Sequence, residues 1–162
     1  LRGGIRDILP GDESIGVVAM NPFSVFTDEE LLARAMWGEA RGEGYDGMYD
    51  VGWVVRNRVT NRKRWPHTFR GVILQRRQFS AFNEGDSNRK RMLNIWRLKK
   101  GDDLEAWDHA REIADNILSF HERIIDHTDG ANHYHDTSIK PPYWARGKEP
   151  TVEIGRLVFY RL

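Results

Sequence analysis

Glu39 is the ionisable residue whose position in this 162-residue chain most needs a reason. The segment Leu31–Gly44 reads as a helix end with Leu32, Ala35 and Met36 on its inward stripe, and Glu39 is the next position on that stripe. A carboxylate there loses hydration, which penalises its charged form and raises its pKa. A glutamate of that kind keeps a proton near neutral pH and can act as a general acid. The alternative is a helix that frays at Gly38 and leaves Glu39 in water. Glycoside cleavage commonly uses two carboxylates, and Glu43, Asp46 and Asp50 are the nearby ones. Glu43 also reads as an exposed helix-end acid or a partner for Arg41, and Asp46 as a helix cap.

A different chemistry is suggested by His133, His135 and Asp136. Two imidazoles and a carboxylate can hold zinc and activate water. On a strand, however, the two histidines share a face and need a third ligand from elsewhere. None of the six histidines sits in an H-E-x-x-H arrangement, and the expectation is no metal. The basic runs NRKRW, QRR, NRKR and RLKK can bind phosphates. With 25 Lys and Arg against 24 Asp and Glu, they read rather as solvated faces, and no nucleic-acid partner is expected. The absence of cysteine excludes disulfides and thiolate metal sites. No apolar run approaches the ~20 residues of a membrane span.

The elements that must position these groups follow from pattern. Residues 1–25 read as a loosely held lead-in, and residues 26–162 as one domain; Leu1-Arg2-Gly3-Gly4 looks like the tail of ubiquitin, a fusion scar. In FTDEELL, Thr27 caps a helix, Glu30 reaches back and Phe26 staples onto Leu31, with the helix stopping near Gly42 or Gly44. A second helix is expected over Asp46–Val59, a short third in HTFRGVILQ, and a fourth over Asn88–Lys99 closed by Gly101. In DDLEAWDHAREIADNILSF, Asp102 and Glu105 form a capping-box pair, and Leu104, Trp107, Ala110, Ile113, Ala114 and Ile117 form one stripe. Trp53 and Trp107 are assigned to the core. ANHYHD and TVEIGRLVFYRL are rich in β-branched and aromatic residues and read as strands. The fold class is α+β, mostly helical with a small C-terminal sheet.

The stretch LLARAMWGEARGEGYDGMYDVGWVVRNRV resembles the SleB-type cell wall hydrolases, the family of spore-cortex-lytic enzymes and some phage lysins. The likeness rests on Glu39-Ala40-Arg41-Gly42-Glu43, then Gly47, then an apolar helix ending in Asn57-Arg58-Val59. It continues through QFSAF, GANHYHD and WARGKEPTVEIGRLVFY, and so runs from Glu29 to Leu162. Departures are His133 and His135, where relatives tend to have tyrosines, and the basic stretches RWPHTF and NRKRMLNIWRLKKGDD.

This resemblance implies a lysozyme-like domain with an antiparallel sheet, acting on peptidoglycan. It implies cleavage between N-acetylmuramic acid and N-acetylglucosamine by a lytic transglycosylase in which the catalytic glutamate is Glu39. One acid then suffices. It protonates the glycosidic oxygen, then as carboxylate draws the proton from the muramic acid's own tethered 6-hydroxyl. Gln78, Phe79 and Ser80 fall on the family's pocket segment, with Tyr134, Tyr143 and Trp144 as the facing wall and Glu43 and Asp50 as secondary candidates. The expected setting is a phage-type lysin acting in the bacterial cell wall or periplasm as a monomer, with no cofactor and no membrane insertion. Surface cations would hold it to an anionic wall. A hydrolytic muramidase, a metal-dependent amidase and a non-catalytic wall-binding module are the competing readings. A buried Glu39 discriminates against the last.

Overall fold

A helix buried on nearly every side organises the domain. In the computed structural model, which describes residues 20–119 and 123–162, helix α1 (Asp28–Ala40) packs against α2 (Gly44–Thr60), α3 (Phe69–Ile73), α4 (Ser87–Leu93) and α5 (Asp102–Leu118). Its start carries the expected capping box: Thr27 Oγ accepts from the Glu30 amide and the Glu30 carboxylate from the Thr27 amide. Leu32, Ala35 and Met36 are fully buried, but so are Leu31, Ala33 and Trp37 on the other faces. The stripe read from the sequence is therefore one side of a central helix. The core also takes in Phe23, from a short 3₁₀ turn at Pro22–Val25. The ubiquitin-like tail and the lead-in before residue 20 lie outside the described residues.

After Ala40 the chain makes a 3₁₀ turn, Arg41–Glu43, and re-enters helix at Gly44, whose φ of +73° an L side chain rarely adopts. Helix α2 thus starts two residues earlier than expected. Asp46 lies inside its first turn rather than capping it, where its charge still suits the helix dipole. Trp53 is buried, and Trp107 packs partly buried against the core, under the Arg34 guanidinium.

Helix α4 is shorter than the expected Asn88–Lys99. The Asn94 side-chain amide donates to the Lys90 carbonyl at 2.8 Å, taking the acceptor that the next turn would use. The chain continues as a 3₁₀ turn at Ile95–Arg97. Helix α5 has its stripe as read, with Ala110, Ile113, Ala114 and Ile117 fully buried. Its start differs: Gly101, rather than Asp102, holds the N-cap position.

The three short strands β1 (His133–Asp136), β2 (Val152–Ile154) and β3 (Leu157–Tyr160) make an antiparallel sheet in the order β1-β3-β2, with Tyr134 opposite Phe159. It is fastened to α2 by polar side chains. Arg58 Nε donates to the Asn132 carbonyl at 2.7 Å, and Asn57 Nδ2 to the Ala131 carbonyl at 3.0 Å. Among the described residues no helix is long and apolar enough to cross a membrane.

Candidate active site

Glu39 occupies the last turn of α1, and three donors from other parts of the chain converge on it. The Ala81 amide donates to Oε1 at 2.8 Å, the Ser80 hydroxyl to the same oxygen at 3.3 Å, and the Tyr134 hydroxyl to Oε2 at 3.1 Å. Ser80 and Ala81 open a 3₁₀ turn that lies directly over α1 at Gly38, where a Cβ would come within 2.8 Å of the Ala81 Cβ. Burial pushes the Glu39 carboxyl above the usual range; the three donors oppose this only in part, and the charge of Asp86 adds to it.

The two oxygens are not equivalent. A backbone N–H can only donate, so Oε1 is fixed as an acceptor and the acid's proton belongs on Oε2, beside Tyr134. Burial holds the Tyr134 hydroxyl well above its ordinary pKa, so it stays a neutral phenol. Glu39 therefore does not fray into water. It is a half-buried carboxyl bordering open space, with one oxygen available for proton transfer.

The acid stands at the junction of two lobes of one cleft. The larger lobe, about 760 Å³, runs past Ser80, Gln78 and Tyr134 to Trp65, His133 and Trp144. The smaller, about 460 Å³, runs past Arg41, Glu43, Asp103 and Arg156. Glu39, Asp136 and Leu157 border both. The wall of the larger lobe is a run of rings: His133 lies 5.7 Å from Trp65 and 5.1 Å from Trp144, which is in turn 5.9 Å from His135. Flat apolar faces with polar groups between them suit sugar rings.

His133 is neutral. Burial first, then the charges of Arg58 and Arg64, push its pKa down to about 4. Its Nδ1 lies 2.6 Å from Asn132 Oδ1, and the Asn132 amide is oriented by the Leu162 backbone through both its oxygen and its nitrogen. Nδ1 therefore carries the hydrogen. Arg58, at the base of this wall, lies 4.4 Å over the Trp65 ring and donates to Gln78 Oε1 at 3.3 Å. Burial lowers its pKa to about 10, which leaves it charged.

Of the residues expected to bind substrate, Gln78, Ser80, Tyr134 and Trp144 share the cleft with Glu39. Phe79 does not. It is 2% exposed and packs in the core, because the extended backbone sends it away from the face shared by Gln78 and Ser80. Tyr143 is 86% exposed and stands outside the lining, with its neighbour Trp144 turned inward. Glu43 borders the smaller lobe, but its partner is Arg156 at 2.6 Å; Arg41 binds Asp103 instead.

Asp50 is not in the cleft. It is 1% exposed on α2, with neither oxygen hydrogen-bonded and His127 Nδ1 4.0 Å away. Burial, then the charges of Asp46 and Asp126, push its pKa up to about 7. His133 and His135 face Trp144, and no group of three His, Asp or Glu side chains among the described residues is arranged to hold a metal ion.

Sequence reasoning missed the Ala81 amide, Arg58, Trp65, and Asp136 as an acid of the cleft. A backbone donor leaves no trace in residue type. Arg58 did leave one: like Glu39, it is a charged residue continuing an apolar helical stripe, here Val51, Val54 and Val55.

The sequence profile of the cell wall hydrolase family matches residues 42–160. The chain belongs to the cell wall hydrolase family. The match begins downstream of Glu39 and does not include it. Among proteins of known function, the chain is similar to the spore cortex-lytic enzyme of Oceanobacillus iheyensis, 30% identical over 152 residues, covering 92% of this chain and 48% of that protein. The corresponding enzyme of Bacillus subtilis is 28% identical over 139 residues, covering 82% and 37%. The chain thus spans about half or less of the length of these relatives.

The crystal structure of the catalytic domain of the Bacillus cereus SleB protein superposes with a TM-score of 0.61 at 26% identity, covering 83% of this chain and 89% of that one. The catalytic domain of the germination-specific lytic transglycosylase SleB from Bacillus anthracis gives the same TM-score at 24% identity, covering 85% and 98%, and shares the fold. The lysozyme-like, mostly helical domain with a small antiparallel sheet is the architecture of this family member.

Proposed function

We propose that the domain of residues 26–162 cleaves the glycan strand of peptidoglycan between N-acetylmuramic acid and N-acetylglucosamine as a lytic transglycosylase, with Glu39 as the single acid and base. The observation that carries this is the Glu39 carboxyl itself: half-buried, raised in pKa by that burial and seated at the junction of a two-lobed cleft. A strand lying through both lobes presents one glycosidic oxygen to Oε2. Transfer of the proton from Oε2 releases the leaving sugar as the C1–O bond breaks. The resulting carboxylate, held by Ala81, Ser80 and Tyr134, stabilises the positive charge at C1. It then takes the proton of the 6-hydroxyl as that oxygen closes on C1. The tethered hydroxyl supplies the nucleophile at high effective concentration, so no base is needed for water.

The alternative of hydrolysis has one observation in its favour. Asp136 borders both lobes, and a hydrogen bond from the Ser138 amide holds its carboxyl below the usual range, so it is ionised. It replaces Glu43 and Asp50 as the carboxylate that could activate water. Mass spectrometry of the released sugars decides between the two. Muramic acid ends that are lighter by one water and resist borohydride mark the transglycosylase; reducible ends mark a hydrolase. We propose a phage-type lysin rather than a spore enzyme as its setting. Preferential lysis of vegetative walls over spore cortex checks it.

A further inference from the structure

The two lobes beside Glu39 differ in how their cations are matched. In the smaller lobe, Arg41 is paired with Asp103 at 3.0 Å and Arg156 with Glu43 at 2.6 Å. In the larger lobe, Arg64 and Arg77 line the cleft, both are exposed, and neither makes an ion pair among the described residues. The buried Arg58 adds a third positive charge there, its hydrogen bonds going to a carbonyl and an amide rather than to a carboxylate. The acids of that lobe, Glu39 and Asp136, both sit at its junction end, and burial raises the pKa of Glu39. Arg77 also holds a φ of +63°, a left-handed conformation that strains an arginine. The positive field is felt within the lobe: Arg64 depresses both Arg58 and His133.

We propose that Arg64 and Arg77 form an anion subsite of the cleft, which takes a carboxylate carried by the muramoyl residues of the substrate. This rests on the reading of the cleft as a glycan-cleaving site. Unpaired guanidiniums repel one another until an anion arrives, and their planar forks match a carboxylate. Two carboxylates have the right chemistry: those of the stem peptide, and the lactyl group of a muramoyl residue whose peptide has been removed. N-acetylglucosamine carries neither, so the subsite also sets which way round the strand lies across Glu39.

The test compares three substrates: intact walls, walls whose carboxylates have been amidated with carbodiimide and ammonia, and glycan strands stripped of peptide by an amidase. The wild-type protein should show a KM about tenfold higher on amidated walls than on intact ones, with kcat little changed. The Arg64→Gln/Arg77→Gln variant should show equal KM on both. Arg97→Gln, a cation outside the cleft, should behave as wild type. A preference for stripped strands like that for intact walls assigns the lactyl group, and its loss assigns the stem peptide. The proposal is overturned if the double variant keeps the wild-type preference, or if Arg97→Gln loses it equally. Binding of the Glu39→Gln protein to the same walls keeps the two readings separate. Binding that depends on the arginine pair, without sugar release by wild type, fails the glycosidase reading alone. Sugar release with equal KM on both walls fails the subsite alone.

Discussion

The central residue is a carboxyl whose environment does two opposite things: burial favours its neutral form, and three hydrogen bonds favour its ion. Replacing Glu39 by Gln removes the proton and keeps the shape. Wall-lysing activity should then fall by about 10²-fold or more while the melting temperature holds or rises, since an amide is cheaper to bury than a carboxylate. Tyr134 tests the balance. Its hydroxyl lowers the Glu39 pKa, so Tyr134→Phe should raise it. On the proposed mechanism the acid acts when protonated, so activity is lost as pH rises through its pKa. The alkaline limb of the kcat/KM profile should therefore move to higher pH in the variant, even as the rate falls; a limb that stays put would separate Tyr134 from the proton. Glu39 was legible because it breaks an apolar stripe, and Arg58 could have been found the same way. Phe79 was misplaced because a motif was read as a block. Extended residues alternate, and Gln78 and Ser80 on one face require Phe79 on the other.

At the level of elements, helix starts were legible where a capping box marks them, and helix ends were illegible where a side chain competes for a carbonyl inside an otherwise helical pattern. Thr27 and Glu30 cap α1 as read, whereas the shortening of α4 comes from one amide, Asn94, competing for a carbonyl. Which elements touch was not legible at all. The contact that shapes the site is between α1 and the turn bearing Ser80 and Ala81, and it depends on the missing side chain of Gly38. Gly38→Ala would crowd both Met92 of α4 and Ala81, and should push that turn outward at a cost of about 1–3 kcal/mol from overpacking. It should also draw the Ala81 amide away from Glu39, lowering kcat. Thermal denaturation and steady-state kinetics would show whether the two losses come together.

Across the whole molecule, stability should carry the mark of Asp50, a carboxyl that takes no part in the cleft. Its pKa in the folded protein is about 7 against 3.8 for the free group, so the folded state binds its proton more tightly than the unfolded one. The stability this contributes is fully present below pH 4 and is lost as pH rises through 7. Asp50→Asn should leave the melting temperature near that of wild type at pH 4. At pH 8 it should raise stability by on the order of a few kcal/mol. An effect independent of pH would show that Asp50 has the same pKa in the folded and unfolded protein. The mostly helical class and the small sheet were visible from hydrophobic period and β-branched content. The docking of sheet onto helices was not, because it runs through Asn57 and Arg58 to carbonyls.

The strand order has a consequence in time. Tyr134 lies 95 residues from the carboxylate it touches, and its strand is held in place by β3, which follows the other two strands in sequence yet sits in the middle of the sheet. During synthesis the helices can collapse around α1 as soon as they emerge. The phenol cannot reach Glu39 in its final position until Leu157–Tyr160 has threaded between β1 and β2. An unfinished chain would thus carry the acid without its cleft. On the proposed mechanism, the capacity to cut would appear abruptly, with β3, rather than growing with chain length.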